Sequence, residues 1–542
     1  MKGFKKNRDV PRKVYELWEI TEKFGKYQAL QYACISFGTI FVAIVNINYI
    51  FIASDLNYRC RITECETTEA AYETPPWGSN VSVDRCSKPV LNESWSQTQS
   101  CTADSFSSSI EPCTQWIYES NNTIVADLDL ACEPWKMNLV GTVHSAGMLI
   151  SMIVAGWIAD RFGRKPAVIF FVVGTCMGHV KTFATSYYMY IAIEFIEAAI
   201  SGGAFTASMV LLIEISGKKQ RLLSSVLFAY AIYVGESLFA VLAMFIPYWK
   251  TLARIIYTPG IVYLALIFFI RESPRWQLLN GKTKEAIETL RLIAKTNNLK
   301  INDVVTESDE EKLKSKLNIG ETVMKESYKK IFTSKQILKR ILVGTVSRFT
   351  SSFVYYGLII NAVWLPGNRY TNFLLCTVMS FPGELISLYL MNKIGRKLPL
   401  IVGFAVCGAL CVGSGYVPTS LVWLKITLFL LGKVVISSCF TGAVTYSMEL
   451  FPTNARGTLL GVCGFASILG NMLAPLSPML YVISSSLPTI LFGVSAAVTA
   501  VLITITPETK ELPLFDTVEQ VEASMKAKSH PSNEKTTIST IT

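Results

Sequence analysis

The chain has 542 residues, 51% of them hydrophobic and only 17% charged, with a mean hydropathy of +0.38. Soluble domains carry about 25% charged residues, so the composition excludes an ordinary soluble protein and points to one built inside a lipid bilayer. The formal net charge of +10 does not call for nucleic acid, because the basic residues fall in clusters between apolar runs, where they report membrane topology.

Residues 1–28 are basic and hydrophilic. The first apolar run, 29–52, reaches the roughly 20 residues a helix needs to cross the hydrocarbon core. It is too long for a signal-peptide core and is expected to stay in the mature protein. Next comes a hydrophilic segment, 53–137, with five Lys and Arg against thirteen Asp and Glu. It holds Cys60, Cys65, Cys86, Cys101, Cys113 and Cys132, six of the thirteen cysteines. An even number in an acidic segment predicts three disulfides made in an oxidising compartment, with the pairing open. The rival reading is zinc, but the segment has no paired CxxC and no His. The same segment carries the glycosylation acceptors Asn80, Asn92 and Asn121, usable only on the lumenal side.

Five more apolar runs follow, at 138–160, 167–187, 188–213, 223–247 and 251–270. Residues 271–340 then carry sixteen Lys and Arg against ten Asp and Glu. Six further runs lie at 339–364, 371–391, 399–416, 421–447, 457–481 and 486–506, making twelve. The Lys and Arg clusters at the N-terminus, between runs two and three, between six and seven, and after eight all fall on one side of a twelve-helix thread. The positive-inside rule makes that side cytoplasmic, with both termini. The expected organisation is a cytoplasmic N-terminus (1–28), a first six-helix bundle (29–270) that includes the extracellular loop 53–137, a cytoplasmic linker (271–338), a second bundle (339–506) and a cytoplasmic tail (507–542). The part of the tail after about 523, rich in Lys, Ser and Thr, reads as disordered.

The second run ends in "GWIADRFGRKP" and the eighth in "MNKIGRKLP", a similar phrase six helices apart that marks an internal repeat. Asp160 with Arg161, Arg164 and Lys165 can clamp helix ends, and Gly163 permits the tight turn; Gly395 and Arg396 are the second copy. The phrase resembles the loop motif of the major facilitator superfamily. "RESPRWQLLNGK" (271–282), "MELFPTNARGTLLG" (448–461, with Glu449 and Arg456), "PETKELPLFDTVEQVE" (507–522), "VYYG" (354–357) and the cysteine-rich loop resemble, more narrowly, the organic cation, anion and zwitterion transporter family, in its organic cation transporter-like form. The resemblance implies an all-α membrane protein with twelve transmembrane helices in two six-helix bundles (the major facilitator fold) and a large disulfide-rich outer loop. It implies a carrier of a small organic ion in the plasma membrane that rocks one bundle against the other, with no catalysis, no cofactor and no nucleic-acid partner. The sequence itself has no GxxxxGK[ST] and no GxSxG, and the scattered His144, His179 and His530 give no reason to expect a metal. Oligomeric state stays open.

An ionisable residue at mid-membrane costs about 2.5–3.5 kcal/mol on insertion scales, so each should meet a partner or a wet cavity. Glu194 and Glu197 lie in the fourth run, Glu236 in the fifth, Arg348 in the seventh, Glu384 in the eighth and Lys433 in the tenth. Cation-carrying members of the family have a Glu where this chain has Ser380 and an Asp where it has Ile468. Anion-carrying members favour a basic residue at the Ile468 place and often a Lys near Glu384. Ser380 and Glu384 are four apart and share one helical face about 6 Å apart along the axis, so the acid is displaced by one turn. The bland account is that Glu384 pairs with Arg348 or Lys433 to neutralise a packed bundle. Arg348 replaces a common aromatic, and Glu194 stands where the superfamily usually has Arg. Tyr355, Tyr356, Tyr230, Tyr233 and Trp364 offer rings for a cation, worth about 0.5–2 kcal/mol each, although packing explains most single rings. The expected substrate contacts are Glu384, Tyr355, Tyr356, Arg348, Ser380, Ile468, Glu236, Tyr233 and Lys433. The leading reading is a carrier of small organic cations or zwitterions working by alternating access; the alternatives are an organic-anion exchanger and a non-transporting receptor that uses its outer loop.

Overall fold

A computed structural model describes residues 24–66, 72–73, 85–92, 101–216, 220–299, 333–418, 420–452, 455–510 and 519–522. The first 23 residues, Asn80, linker residues 300–332 and the tail after 522 lie outside the described residues.

Twelve main helices follow in chain order: α1 (Lys26–Ile52), α2 (Pro134–Phe162), α3 (Arg164–Phe183), α4 (Tyr187–Ile215), α5 (Leu223–Phe245), α6 (Trp249–Phe268), α7 (Lys335–Asn361), α8 (Arg369–Lys393), α9 (Lys397–Tyr416), α10 (Val422–Leu450), α11 (Arg456–Val482) and α12 (Leu487–Ile503). Ten of them are long and apolar enough to cross a membrane; α12 has 17 residues and α7 carries Arg348 within a Ser- and Thr-rich stretch. The apolar runs located the helices, but several ends extend into charged residues, as at Arg164 and Lys335. Hydropathy sees the hydrocarbon boundary, whereas the backbone ladder runs on until a cap or a Gly stops it.

By compactness, the described residues up to 299 together with 360–378 and 475–483 form one unit; 333–359, 379–474 and 484–522 form the other. The first has a continuous apolar core through Tyr32, Ile35, Val168, Phe171, Leu211 and Tyr263. A linker helix, Thr283–Thr296, joins that core with Ala286, Leu290 and Ile293. Just past its end, the Asn297 Oδ1 accepts the Tyr27 N–H at 2.9 Å. Small residues set the helix crossings, as is usual where lipid removes the hydrophobic drive for helices to associate. A Cβ on Gly147 would meet the Phe195 carbonyl of α4 in the first unit, and one on Gly383 the Val434 carbonyl of α10 in the second.

The segment between α1 and α2 belongs to the first unit and carries the strands found among the described residues. Strand β1 (Tyr58–Cys60) pairs antiparallel with β4 (Trp116–Tyr118), and β2 (Ser87–Leu91) with β3 (Phe106–Pro112). Three disulfides fix it: Cys60–Cys113, Cys65–Cys101 and Cys86–Cys132, with Cα separations of 5.7, 5.8 and 5.7 Å. The first two are nested and the third crosses them, so no single cut between cysteines frees the segment. Non-reducing peptide mapping should recover these three pairs. Ser replacement of both Cys86 and Cys132 should lower stability by about 2–5 kcal/mol and reduce surface abundance; any other connectivity would contradict this architecture.

Candidate functional site

Three polar constructions stand out in a largely apolar chain. The first occurs twice, once per unit, where α2 gives way to α3 and α8 to α9. Gly163 (φ +115°) and Gly395 (φ +137°) make the turns in a region that L side chains avoid. After each, an Arg folds back. Arg164 Nε donates to both oxygens of Glu214 at 3.2 Å, and its Nη1 donates to Asp160 at 2.8 Å. Arg396 Nε donates to both oxygens of Glu449 at 3.1 Å, and its Nη1 donates to the Met391 carbonyl at 3.0 Å. A second carboxylate caps the new helix in each copy. Glu272 accepts the backbone N–H of Arg164 at 2.9 Å and of Lys165 at 3.2 Å; Glu508 accepts those of Arg396 and Lys397, both at 2.9 Å. Helix N-termini leave such N–H groups orphaned and carry positive partial charge, so a carboxylate fits there twice over. A Cβ on either glycine would strike the capping carboxylate.

The two caps differ electrostatically. Burial pushes the Glu272 carboxyl above its ordinary range despite its three backbone partners. Glu508 is also pushed up by burial, but four backbone N–H groups outweigh that and hold it below the ordinary range. A carboxyl whose folded pKa is depressed adds stability above its ordinary pKa and loses it as pH falls; a raised one does the reverse. At neutral pH, Glu508→Gln should therefore lower the melting temperature, with the gap to wild type closing on acidification. Glu272→Gln should be neutral or stabilising. Gly395→Ala should destabilise by about 1 kcal/mol or more through its backbone strain, read by the same thermal assay.

The second construction is buried in the first unit. Glu194 and Glu197 of α4 are both fully buried. Lys181, near the end of α3, places its Nζ 2.7 Å from Glu194 Oε2 and 3.1 Å from Glu197 Oε2. His144 of α2 sets Nδ1 2.7 Å from Glu194 Oε1 and Nε2 3.1 Å from Asn46 Oδ1 of α1. The Tyr257 hydroxyl of α6 accepts from Lys181 Nζ at 2.8 Å and from Asn48 Nδ2 at 2.8 Å. Ser201 donates to Glu197 Oε1 at 2.8 Å. His144, Glu194 and Glu197 bring three potential metal-ligand atoms within 4.8 Å of one another, but the Lys181 ammonium already sits on both carboxylates in the place such a cation would take. The arrangement is an ion-pair network.

The third lies in the second unit, where α8 packs on α10. Ser380, Gly383, Glu384, Ser387 and Met391 form one buried stripe, so Ser380 and Glu384 do share a face. Glu384 accepts the Thr441 hydroxyl at 2.6 Å. Ser380 lies 3.4 Å from the Tyr355 hydroxyl and 3.3 Å from the Ser437 hydroxyl. Lys433 Nζ stands 3.0 Å from the centroid of the Tyr355 ring, so its own ammonium covers one face of that ring. Tyr355 is buried and Tyr356 half-buried. The Arg348 guanidinium lies 5.4 Å from the centre of the Phe440 ring, and its buried Nη1 has no hydrogen-bond partner among the described residues.

A family model described as "Sugar (and other) transporter" matches residues 90–520. The chain belongs to the sugar (and other) transporter family. "Solute carrier family 22 member 3" of Rattus norvegicus is 29% identical over 437 residues, covering 79% of this chain and 77% of the relative. "Solute carrier family 22 member 1" of Bos taurus is 28% identical over 547 residues, covering 96% and 95%. "Organic cation transporter protein" of Drosophila melanogaster is 27% identical over 513 residues, covering 92% and 93%. The partially occluded, inward-open xylose transporter XylE of E. coli superposes with a TM-score of 0.61 at 16% identity, covering 90% of this chain and all of that one. The fold is thus the major facilitator fold, and the resemblance read from the motifs holds.

In this transporter the helix-end motif assembles largely as its residues implied: Asp160, Gly163, Arg164 and Lys165 meet in one copy, and Gly395, Arg396 and Glu449 in the other. Arg161 instead stacks beside Trp157 and Phe162, and Arg456 donates to the Phe451 carbonyl. Glu214, Glu272 and Glu508 were missed, although Glu272 and Glu508 lie in the quoted "RESPRW" and "PETK", each just after the last helix of its half. Among the expected contacts, Tyr355, Ser380, Glu384, Lys433 and Arg348 are in one unit, with Ile468 half-buried on α11; Tyr233 and Glu236 are buried on α5 of the other. Arg348 forms no ion pair among the described residues of its unit, so the bland account fails for that partner of Glu384. Trp364 stacks on Tyr481 with centroids 5.6 Å apart. Lys181 and His144 went unrecognised. Two acids at i and i+3 on one helical face of α4 demand a cation, and Lys181 inside the third run was there to be chosen.

Proposed function

We propose that the chain carries small organic cations or zwitterions across the plasma membrane by alternating access, with both termini cytoplasmic and residues 53–137 outside. The observation that carries the reading is Glu384, a carboxylate 1% exposed in an apolar helix, one turn from Ser380 and beside the Tyr355 and Tyr356 rings' own helix. A buried acid on a polar seam, in the unit whose Arg348 guanidinium has no ion pair among the described residues, gives one group for a substrate ammonium and one for a substrate carboxylate. Tyr356, half-buried, is the ring for cation–π contact, since Lys433 holds a face of Tyr355. The Drosophila relative, an organic cation transporter protein by name, supports the cation class. A singly charged cation crossing alone gains about 1.4 kcal/mol from a potential of about 60 mV, roughly tenfold accumulation.

Anion carriage is the second reading, favoured by the unpartnered Nη1 of Arg348 and opposed by the apolar Ile468. Uptake of a labelled panel of cations, zwitterions and anions into expressing cells, scaled to surface protein, separates them. Glu384→Gln should cut cation and zwitterion uptake by about tenfold or more. Arg348→Gln should cut zwitterion uptake only. If Glu384→Gln leaves cation uptake intact while Arg348→Gln abolishes anion uptake, the second reading replaces the first. For topology, Asn121 is exposed while the Asn92 amide donates to the Asp104 carbonyl at 2.9 Å. Asn121→Gln should therefore remove a glycosidase-sensitive mass shift; no shift from any acceptor would contradict an external loop.

A further inference from the structure

We infer that the buried His144 network of the first unit is a one-proton site, and that substrate movement is coupled to protons through it. The inference rests on the carrier reading but concerns residues that no substrate contact above uses.

Charge balance is the first ground. Glu194 and Glu197 bring two negative charges and Lys181 one positive, leaving one negative charge uncompensated in a site with almost no solvent exposure. The other facing groups do not supply it. Asn46, Asn48 and Tyr49 come from α1, Tyr190 from α4 and Tyr257 from α6, all neutral as amides and phenols; His179 lies behind the Tyr257 ring, 6.0 Å from it between centroids, with Arg254 as its charged neighbour. Protonation of His144 closes the balance, because buried charges survive only when paired.

Hydrogen-bond direction is the second ground. Nδ1 faces a carboxylate oxygen and Nε2 faces the Asn46 amide oxygen. As placed, both are acceptors, an arrangement that an imidazolium donating from both ring nitrogens satisfies. When the proton leaves Nε2, that nitrogen becomes an acceptor. A half-turn of the Asn46 amide then offers it Nδ2–H, while Nδ1 keeps its bond to Glu194. Either protonation state is thus hydrogen-bonded, and they differ by one proton and one amide rotation. Lys181, held between two carboxylates and Tyr257, keeps its proton in both.

The amide that must rotate sits at a break in α1. The longer segment of α1 ends at Asn46, the chain turns at Ile47 and Asn48, and a short segment Tyr49–Ile52 resumes. Asn48 is tied to Tyr257, and through it to Lys181. The Tyr49 ring lies 5.9 Å from the His144 ring. Loss or gain of the proton therefore acts on a helix break that touches the network, a discrete element that two states can use.

Purified protein in liposomes tests this in two independent ways. With a labelled organic cation and a pH-sensitive dye, an imposed pH gradient should change wild-type uptake at least fivefold, with proton movement accompanying it. His144→Gln should transport without responding to the gradient and without a dye signal, and His179→Gln should behave as wild type. A gradient response retained in His144→Gln overturns the proposal. The second readout needs no substrate. The chain has three histidines, so nitrogen-15 histidine spectra of detergent-purified protein contain few imidazole signals. The one lost in His144→Gln should change protonation as the pH is varied, at a pH altered by Asn46→Ala. If that signal titrates while no organic ion is carried, the carrier reading fails and the proton site stands. If it never titrates, the proton site falls whatever is carried.

Discussion

A charge taken into hydrocarbon must take its partner with it. Each lone ion costs about 2.5–3.5 kcal/mol even on lenient scales, and this chain places several in helices otherwise long and apolar enough to span a membrane. The response differs from place to place. In the first unit two acids are matched by a lysine and a histidine from neighbouring helices. In the second, Glu384 lies in a seam of hydroxyls between α8 and α10, while Arg348 makes do with the face of Phe440. The first network is balanced in charge when His144 carries its proton, whereas the Arg348 Nη1 has no hydrogen-bond partner among the described residues.

The duplicated turn shows how a short phrase carries a whole local structure. Gly at positive φ lets a carboxylate from far along the chain approach the first N–H groups of the next helix, and the following Arg grips a second acid on another helix. These bonds are charge-assisted and bidentate, roughly twice as strong as neutral ones. The copies differ in how far the capping acid is desolvated, which sets Glu272 and Glu508 on opposite sides of the ordinary carboxylate range.

Much of this was legible because the relevant signals are local. Twelve apolar runs located the helices, the spacing of Ser380 and Glu384 put them on one face, and Gly163 and Gly395 announced their turns. The disulfide count was right, while its connectivity depends on how β1 pairs with β4 across more than fifty residues and β2 with β3 between them. The His144 network was illegible for the same reason. Its members come from five helices, and one histidine among apolar residues carries no periodic signature. Only the unmatched pair Glu194 and Glu197 hinted that something must lie opposite. Lys433 is the converse case: its place on α10 was seen, but not that its ammonium would cover the ring expected to receive the substrate.

Carriage of a small organic cation by alternating access is the central claim, and counterflow tests it most directly. Liposomes holding the purified protein are loaded with an unlabelled organic cation and diluted into a trace of the same cation labelled. The account predicts a transient accumulation of label above its equilibrium level, because a site that returns loaded exchanges faster than one that returns empty. A preparation that is monodisperse and correctly disulfide-bonded, yet shows no overshoot with any cation or zwitterion offered, would contradict it.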